Sequence, residues 1–510
     1  MSISNITKVY LLDVPLENDY KNSLYFANAS AQQTYFQSKI ITSYNYDNFT
    51  YQRKDQIIRV PAHYDSIYKC NYVMYQNSAY SNKWFYAFVT ELEYINDGRT
   101  DLHIETDVIQ TWLFDYQVKA SFVEREHVAS DTVGQHTLPE NVQLGEYIIN
   151  SHSRVDELRN NLKIVIGSTV APSDLIKLYG GNYNGIYSGV KYYTYSASDM
   201  TSNIQNMADD NKQDAISSLF LAPPFVLPQV GGGPIADSTA PQTIDTSVAR
   251  ITTLNGYQPR NNKLLTYPYC YILGSNANGG SAIYHQEKFT NTNQSGAYVF
   301  RIYGSLTPGC SIRMIPINYN GSEINTDEGL NLGKYPQLNW ATDMYTNWLT
   351  QNGVNVATSL VGSTASTIAG AYTGNPMMAI GGLSGIANSL NEVHKASLIP
   401  PQTSGNINCG DVIASMHENT FHMYRMTIKS EYAQIIDKYF DMFGYKVNMV
   451  KVPNTNHRSR YWYTKTIDVN IDGDIPQSDM QKIKNAYNNG ITFWKSATDI
   501  ENYSTPNPIV

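Results

Sequence analysis

The residues best placed to do chemistry are a run of oxygen ligands near the C-terminus. Asp468-x-Asn470-x-Asp472-Gly473, with Asp474 next and Asp479 at the closing position, sets side-chain oxygens at alternate positions around a glycine turn, as a calcium loop requires. Three features depart from that pattern. The last ligand is Asp where a bidentate Glu is usual, Pro476 takes a ligand position, and Arg460–Ile467 ahead of the loop alternates like a strand where a helix should enter. The plainer reading, and the one expected, is an Asp-Gly turn joining a strand to a helix capped by Ser478. Beyond this weak candidate no metal site and no cofactor are expected.

Other catalytic signatures fail on spacing. The chain has no Gly-x-Ser-x-Gly elbow, no His-Glu-x-x-His and no Cys-x-x-Cys. Gly329-Leu-Asn-Leu-Gly333-Lys334-Tyr335 approaches a phosphate loop, but it is a residue short between glycines and puts Tyr335 where a magnesium-binding hydroxyl belongs. His417 and His422 fall on opposite faces of a strand and align poorly on a helix, so an ordinary polar or core role is expected of them. Cys70, Cys270, Cys310 and Cys409 lie far apart with neither zinc nor disulfide spacing, and read as buried free thiols made in a reducing cytoplasm. An enzyme is not expected.

The elements around these residues are mostly strands. Period-two patterns rich in β-branched and aromatic residues cover Lys8–Leu16, Gln56–Pro61, Tyr72–Gln76, Lys83–Ile95 and Gln117–Val128, with an Asp97-Gly98 hairpin signal after Asn96. Asp107–Asp115 reads equally as a short helix or a strand. Leu162–Thr169 and the glycine-punctuated Gly180–Tyr195 follow, then a helix expected from Ser198 to Leu219, with Ser198 or Asp199 as its cap, stopped by Pro223-Pro224. Gln229–Val248 reads as an exposed loop or linker, and Lys263–Leu273, Ser281–Thr290 and Ala297–Ile317 as strands. Asn339–Asn352 resembles a helix start. Glu418–Ile428 is a strand, Ser430–Phe443 a helix ended by Gly444, Tyr445–Val452 and Tyr461–Val469 strands, and Ser478–Asn488 a helix stopped at Gly490.

Composition narrows the function. Charged residues are 16% of the 510, with a net charge of -8, and 41 Tyr stand against 15 Phe. Tyr joins a flat apolar body to a hydrogen-bonding tip, which suits strands and half-wet protein contacts. No basic run marks a nucleic-acid binder, Met1–Glu17 lacks the form of a signal peptide, and no window is apolar enough for a spanning helix. From Met344 to Asn391, 48 residues contain no Asp, Glu, Lys, Arg or His. Gly, Ala, Ser and Thr fill this stretch around Leu360, Val361, Ile368, Tyr372, Met377, Met378, Ile380, Leu383, Ile386 and Leu390. It meets no charge barrier to lipid, where one central Asp, Lys or Arg costs about 2.5–3.5 kcal/mol, so these residues are the candidate membrane-active set.

Three stretches carry a family resemblance. They are Phe122-Val-Glu-Arg-Glu-His-Val-Ala-Ser-Asp-Thr-Val-Gly-Gln-His-Thr-Leu-Pro-Glu140 with Leu144–Tyr147; Glu431–Asn448 with Val452-Pro453-Asn454 and Arg460-Tyr461-Trp462; and Gly473–Pro476 with Asn489-Gly490-Ile491-Thr492-Phe493-Trp494. Together they resemble the tail knob, or distal tail tube, proteins of phi29-like short-tailed phages. The resemblance implies a mainly β fold with some α (α+β), whose tail-tube-like β-barrel or β-sandwich modules form a ring, with an inserted knob region and a long apolar loop. The implied divisions are a tube-forming domain at 1–155, a knob region at 156–340, the uncharged loop at 341–410, and a segment at 411–510 that completes the tube. Implied partners are further copies in a hexamer, a proximal tail or collar protein, phage double-stranded DNA passing without specific binding, and the host membrane. The implied place is the distal end of the virion tail, after synthesis in the host bacterial cytoplasm. Alternatives from other classes are a receptor- or polysaccharide-binding tail-tip protein and a pore-forming protein.

Overall fold

The computed structural model describes all residues except 1–5, 48–55, 79–80, 173–178, 196, 211, 213–214, 229–231, 321–328, 334, 336 and 340–418. The chain divides into two compact units. The first contains Met1–Leu144, Pro259–Leu264 and Glu431–Val510; the second contains Gly145–Gln258 and Leu265–Ser430. The chain is mainly β with some α, as its period-two patterns lead one to expect.

In the first unit, β1 (Ile6–Leu12), β2 (Asn22–Leu24), β3 (Ile40–Asp47), β4 (Ile57–Val60), β5 (Tyr72–Asn77), β6 (Trp84–Asn96), β7 (Arg99–Thr106), β8 (Tyr116–Val118) and β9 (Ser121–Glu126) come first. Six of them form a sheet in the order β3-β1-β5-β6-β7-β4. Alternation sorts its side chains. Val9, Val73, Tyr75, Ala87, Leu102 and Ile104 share one buried cluster with Ile67 of the short helix α2 (Tyr64–Ile67). Tyr72, Met74, Tyr86 and Phe88 join another cluster with Phe36 of helix α1 (Ala29–Gln37), Tyr461 and Trp494. Asn28 caps α1 by accepting from the Ala31 amide at 2.9 Å. Asp107–Asp115 resolves as a helix, α3 (Val108–Trp112), because the Asp107 carboxylate accepts from the amides of Ile109 and Gln110 and so satisfies the first turn.

The second unit holds β10 (Tyr147–Arg154), β11 (Lys163–Ser168), β12 (Gly181–Tyr183), β13 (Ile186–Ser188), β14 (Lys191–Tyr195), β15 (Ile216–Ala222), β16 (Gly233–Pro234), β17 (Gln242–Ala249), β18 (Cys270–Ser275), β19 (Ser281–Tyr284), β20 (Ala297–Ser305), β21 (Ser311–Pro316), β22 (Leu330–Asn331), β23 (Gln337–Asn339) and β24 (His422–Ile428). They build sheets ordered β10-β24-β18-β19, β16-β14-β11-β15-β23 and β17-β20-β21-β22, plus the β12-β13 hairpin. One apolar cluster, with Val165, Phe220, Tyr284, Phe300, Ile302 and Met314 among its members, serves all three sheets. Two expectations are corrected here. The helix expected over Ser198–Leu219 is α4 (Ala197–Asp209), and Ile216–Leu219 begins β15, whose Leu219, Phe220, Leu221 and Ala222 are consecutively buried. Such a doubly covered strand has no period-two signature. Gln229–Val248 is not loop throughout: Gln242–Ala249 pairs residue for residue with β20 as an edge strand.

The chain then returns to the first unit with α5 (Ser430–Phe443), β25 (Tyr445–Lys451), β26 (Tyr461–Ile467), β27 (Ile471–Gly473), α6 (Gln477–Asn489) and β28 (Ile491–Trp494). These strands complete a sheet ordered β2-β28-β26-β9-β25. Helix α6 covers it, with Ile483, Ala486 and Tyr487 packed among Trp462, Ile491 and Phe493. Helix α5 ends at Gly444, whose φ of 63° and close approach to the Glu126 carbonyl leave no room for a Cβ.

Candidate functional site

The calcium-loop residues do not converge. Asp468 takes a left-handed φ of 51°, and the following strand β27 pairs with β8. Asp472 is exposed and lies 3.4 Å from Lys119, while Asp474 points to solvent. Asn470 donates its amide to Ser121 at 2.9 Å. Asp479 is buried and accepts from the Trp112 indole at 2.9 Å. Helix α6 starts after Pro476, which supplies no side-chain cap, so Ser478 is not the cap; its hydroxyl donates instead to Asp479 at 3.3 Å. Among the described residues no group of three or more His, Cys, Asp or Glu is placed to hold a metal ion.

The other candidates are structural too. Leu330 and Asn331 of the phosphate-loop look-alike form β22, and Tyr335 is buried with its hydroxyl donating to the Leu158 carbonyl at 2.5 Å. His422 lies on β24 with its Nδ1 2.8 Å from Nε2 of His152, and the two rings are stacked; His417 lies outside the described residues. Cys70, Cys270 and Cys310 are buried free thiols, pushed up by burial from the ordinary thiol range. The candidate membrane-active residues Leu360, Val361, Ile368, Tyr372, Met377, Met378, Ile380, Leu383, Ile386 and Leu390 all lie outside the described residues.

What the structure does assemble is a buried ionic clasp within the first unit. Strand β9 alternates, with Phe122 outward and Val123 and Arg125 inward, and Glu126 and His127 are buried where it ends. Arg125 donates to the Gly444 carbonyl at 2.6 Å and pairs with Glu140. The same carboxylate takes the Lys263 ammonium at 2.5 Å and the Lys446 amide at 2.9 Å. Its side chain is 0% exposed and that of Lys263 2%, so both cations depend on it. Glu126 accepts from the Lys451 ammonium at 2.5 Å and the Asn454 amide at 2.7 Å.

A second half of the clasp grips the short stretch Pro259–Leu264, which belongs to this unit although the residues on either side of it do not. Asp437 on α5 accepts from the Arg260 and Asn261 amides at 2.7 and 3.1 Å. Asp441, one turn on, accepts from the Asn261 carboxamide at 2.8 Å and from Arg260 at 3.2 Å. Asp131 accepts from the Asn262 amide at 2.9 Å and the Tyr445 hydroxyl at 2.8 Å. Burial raises Asp131 and Asp441 above the usual carboxylate range and lowers Lys263, where Glu140 pulls the other way.

His127 is locked neutral by geometry. Its Nδ1 accepts the Tyr463 amide at 2.8 Å, and its Nε2 lies 3.0 Å from the Asp441 carbonyl, to which only an Nε2–H can bond. Burial, then the nearby Arg458, pushes its pKa down to about 3. Each carboxylate in the clasp has its donors, and such an arrangement fixes backbone. Isolated-residue reasoning missed it because its members come from three distant stretches. The signal was present in the family-like segments Phe122–Glu140 and Glu431–Asn448, which supply most of its charged groups.

The comparisons with known proteins agree with a structural role. A family model described as tail knob protein gp9 of Bacillus phage phi29, C-terminal domain, matches residues 236–508, more than half of the chain. A second, the Caudoviral major tail protein N-terminus, matches residues 5–117. Tail knob protein gp9 of Bacillus phage B103 is 26% identical over 598 aligned positions, covering 98% of this chain and 97% of that protein. Its counterpart in Bacillus phage PZA is 27% identical over 594, covering 98% of each. Among solved structures, the bacteriophage C1 tail knob protein gp12 shares the fold with a TM-score of 0.68 at 15% identity, covering 99% of this chain and 100% of that one.

Proposed function

Because the chain belongs to the family of the phi29 tail knob protein gp9, it is a structural protein of a short phage tail, and we propose that it forms the distal tube of that tail. Six copies close into a ring around a channel through which the genome leaves. The first unit builds the tube wall and the second the knob; the match of residues 5–117 to a major tail protein N-terminus supports the first assignment. The observation that carries the reading is likeness to tail knob proteins along almost the whole chain, joined to a charge cluster whose every carboxylate is already bound.

The channel wall is neutral to acidic, in keeping with a net charge of -8 and the lack of a basic run, so duplex DNA slides without counterion release. The uncharged stretch 344–391 plugs the channel before infection and perturbs the host membrane afterwards. The upper end of the ring meets a proximal tail or collar protein. Negative-stain imaging of the purified protein tests the reading: hollow six-fold rings are expected, and trimeric spikes or monomers at every salt concentration overturn it. Vesicle leakage tests the stretch separately. Asp at Ile368, Ile380 and Ile386 should abolish dye release while rings still form.

A further inference from the structure

Glu126, at the end of β9, holds an amine and a carboxamide against each other. One of its oxygens takes the Lys451 ammonium at 2.5 Å and the other takes the Asn454 backbone amide at 2.7 Å. The same ammonium donates to Oδ1 of the Asn454 carboxamide at 2.8 Å. From its other end that carboxamide donates through Nδ2 to the His127 carbonyl at 3.3 Å, which fixes its carbonyl toward the amine. The carbonyl carbon lies one C=O bond, about 1.2 Å, beyond the oxygen that the amine already touches. An amine, a carbonyl carbon within its reach and a carboxylate bonded to the amine are the parts of an acyl transfer.

Burial separates this trio from an ordinary ion pair. The Glu126 side chain is 0% exposed and that of Lys451 27%, and Tyr445 and Thr464, opposite Glu126 on β25 and β26, are both buried. Two ions held out of water are costly, and passing a proton from one to the other removes both charges. The same residue types meet again where Glu105 accepts from Lys482 at 2.7 Å and from the Asn18 carboxamide at 3.3 Å. There the acid is 31% exposed and the lysine 43%, so both ions stay hydrated. The carboxamide also offers its nitrogen, not its carbonyl, to that pair.

We infer that Lys451 and Asn454 join in an isopeptide bond made by the folded chain itself. Glu126 takes a proton from the ammonium, and the freed lone pair on Nζ attacks the Asn454 carbonyl carbon. The Nζ–Cγ bond forms and the Cγ–Nδ2 bond breaks. The departing nitrogen carries off two of the three ammonium protons, one of them delivered by Glu126, and leaves as ammonium. Glu126 ends ionised, so atoms and charge balance without a co-reactant. Holding the partners at reacting distance stands in for an external catalyst. The product is a covalent ring spanning Lys451–Asn454, which fixes the segment after β25 beside the end of β9.

Intact mass spectrometry of the full-length protein tests this. The chain should be lighter than its sequence by one ammonia, trypsin should fail to cut after Lys451, and the peptide containing residues 451–454 should be the one that lacks the ammonia. Lys451→Arg keeps the positive charge and removes the attacking amine, so it should show the full mass of its sequence. Glu126→Gln should do the same; where it fails to fold, Lys451→Arg decides. A succinimide at the exposed Asn255-Gly256 or Asn278-Gly279 also loses ammonia, but hydroxylamine cleaves the chain there and leaves an isopeptide intact. Full mass in the unchanged protein, cleavage after Lys451, or an ammonia loss that survives Lys451→Arg overturns the inference.

Discussion

The two units solve the problem of holding many strands together in different ways. The second is nearly continuous in sequence, and a single apolar cluster, with Phe300 and Ile302 at its centre, joins its three larger sheets. The first is sewn from three separated stretches around several smaller apolar clusters. Apolar packing does not discriminate well among partners, whereas an ion removed from water costs several kcal/mol unless its own counter-ion is in place. A unit that must select distant pieces of one chain gains register from charge pairs that a unit built of neighbours can do without.

Removing one clasp carboxylate is expected to have the largest effect. Glu140→Ala leaves Arg125 and Lys263 buried without their shared partner, and should destabilise the first unit by about 3–5 kcal/mol or more, read by denaturant melting. Two transitions should separate, with the second unit's unchanged; a single shift shared by both would break the contrast between the units. Next comes Ile302→Ala, which opens the apolar core of the second unit at a cost of about 2–5 kcal/mol, with a penalty insensitive to pH and salt.

The pH dependence sharpens the contrast. His127 is lowered from 6.5 to about 3, so the folded state binds fewer protons than the unfolded state between those values. Its contribution is fully present above pH 6.5 and is lost as pH falls toward 3. Asp131 and Asp441 are raised by burial and act in the opposite sense, losing stability as pH rises, so the His127 share is isolated only by difference. The stability gap between the unchanged protein and His127→Gln should therefore narrow steadily on acidification through that window. A gap that stays constant would place His127 outside the clasp's electrostatics. The smallest expected effect is none: millimolar calcium should leave both transitions where they are, since Asp472 and Asp474 face solvent while Asp479 is committed to Trp112.

Legibility in the sequence followed locality. The Asp97-Gly98 turn does join β6 to β7, with Asn96 opposite Arg99, and α5 runs from Ser430 to Phe443, stopped by Gly444. Helix α6 likewise stops at Gly490, with φ of 97°. Helix α1 left little trace because only Gln32 and Phe36 of its nine residues are buried. Edge strand β17 was hidden because only Val248 of its eight residues is buried, and β15 by burial of both its faces. The clasp could not be read from any one window. Glu140 is a loop residue whose meaning depends on Lys263, over a hundred positions away, and on Arg125.

Strand β9 has β26 on one side and β25 on the other, and both are made after residue 444. On the ribosome it therefore waits, unpaired along both edges, for more than three hundred further residues; at about 5–20 residues per second the wait is roughly 15–60 seconds. The N-terminal portion cannot finish its second sheet on its own. A chain cut short anywhere before Tyr445 lacks both neighbours of β9, so the second sheet of the first unit closes only after the last strands of the chain have been made.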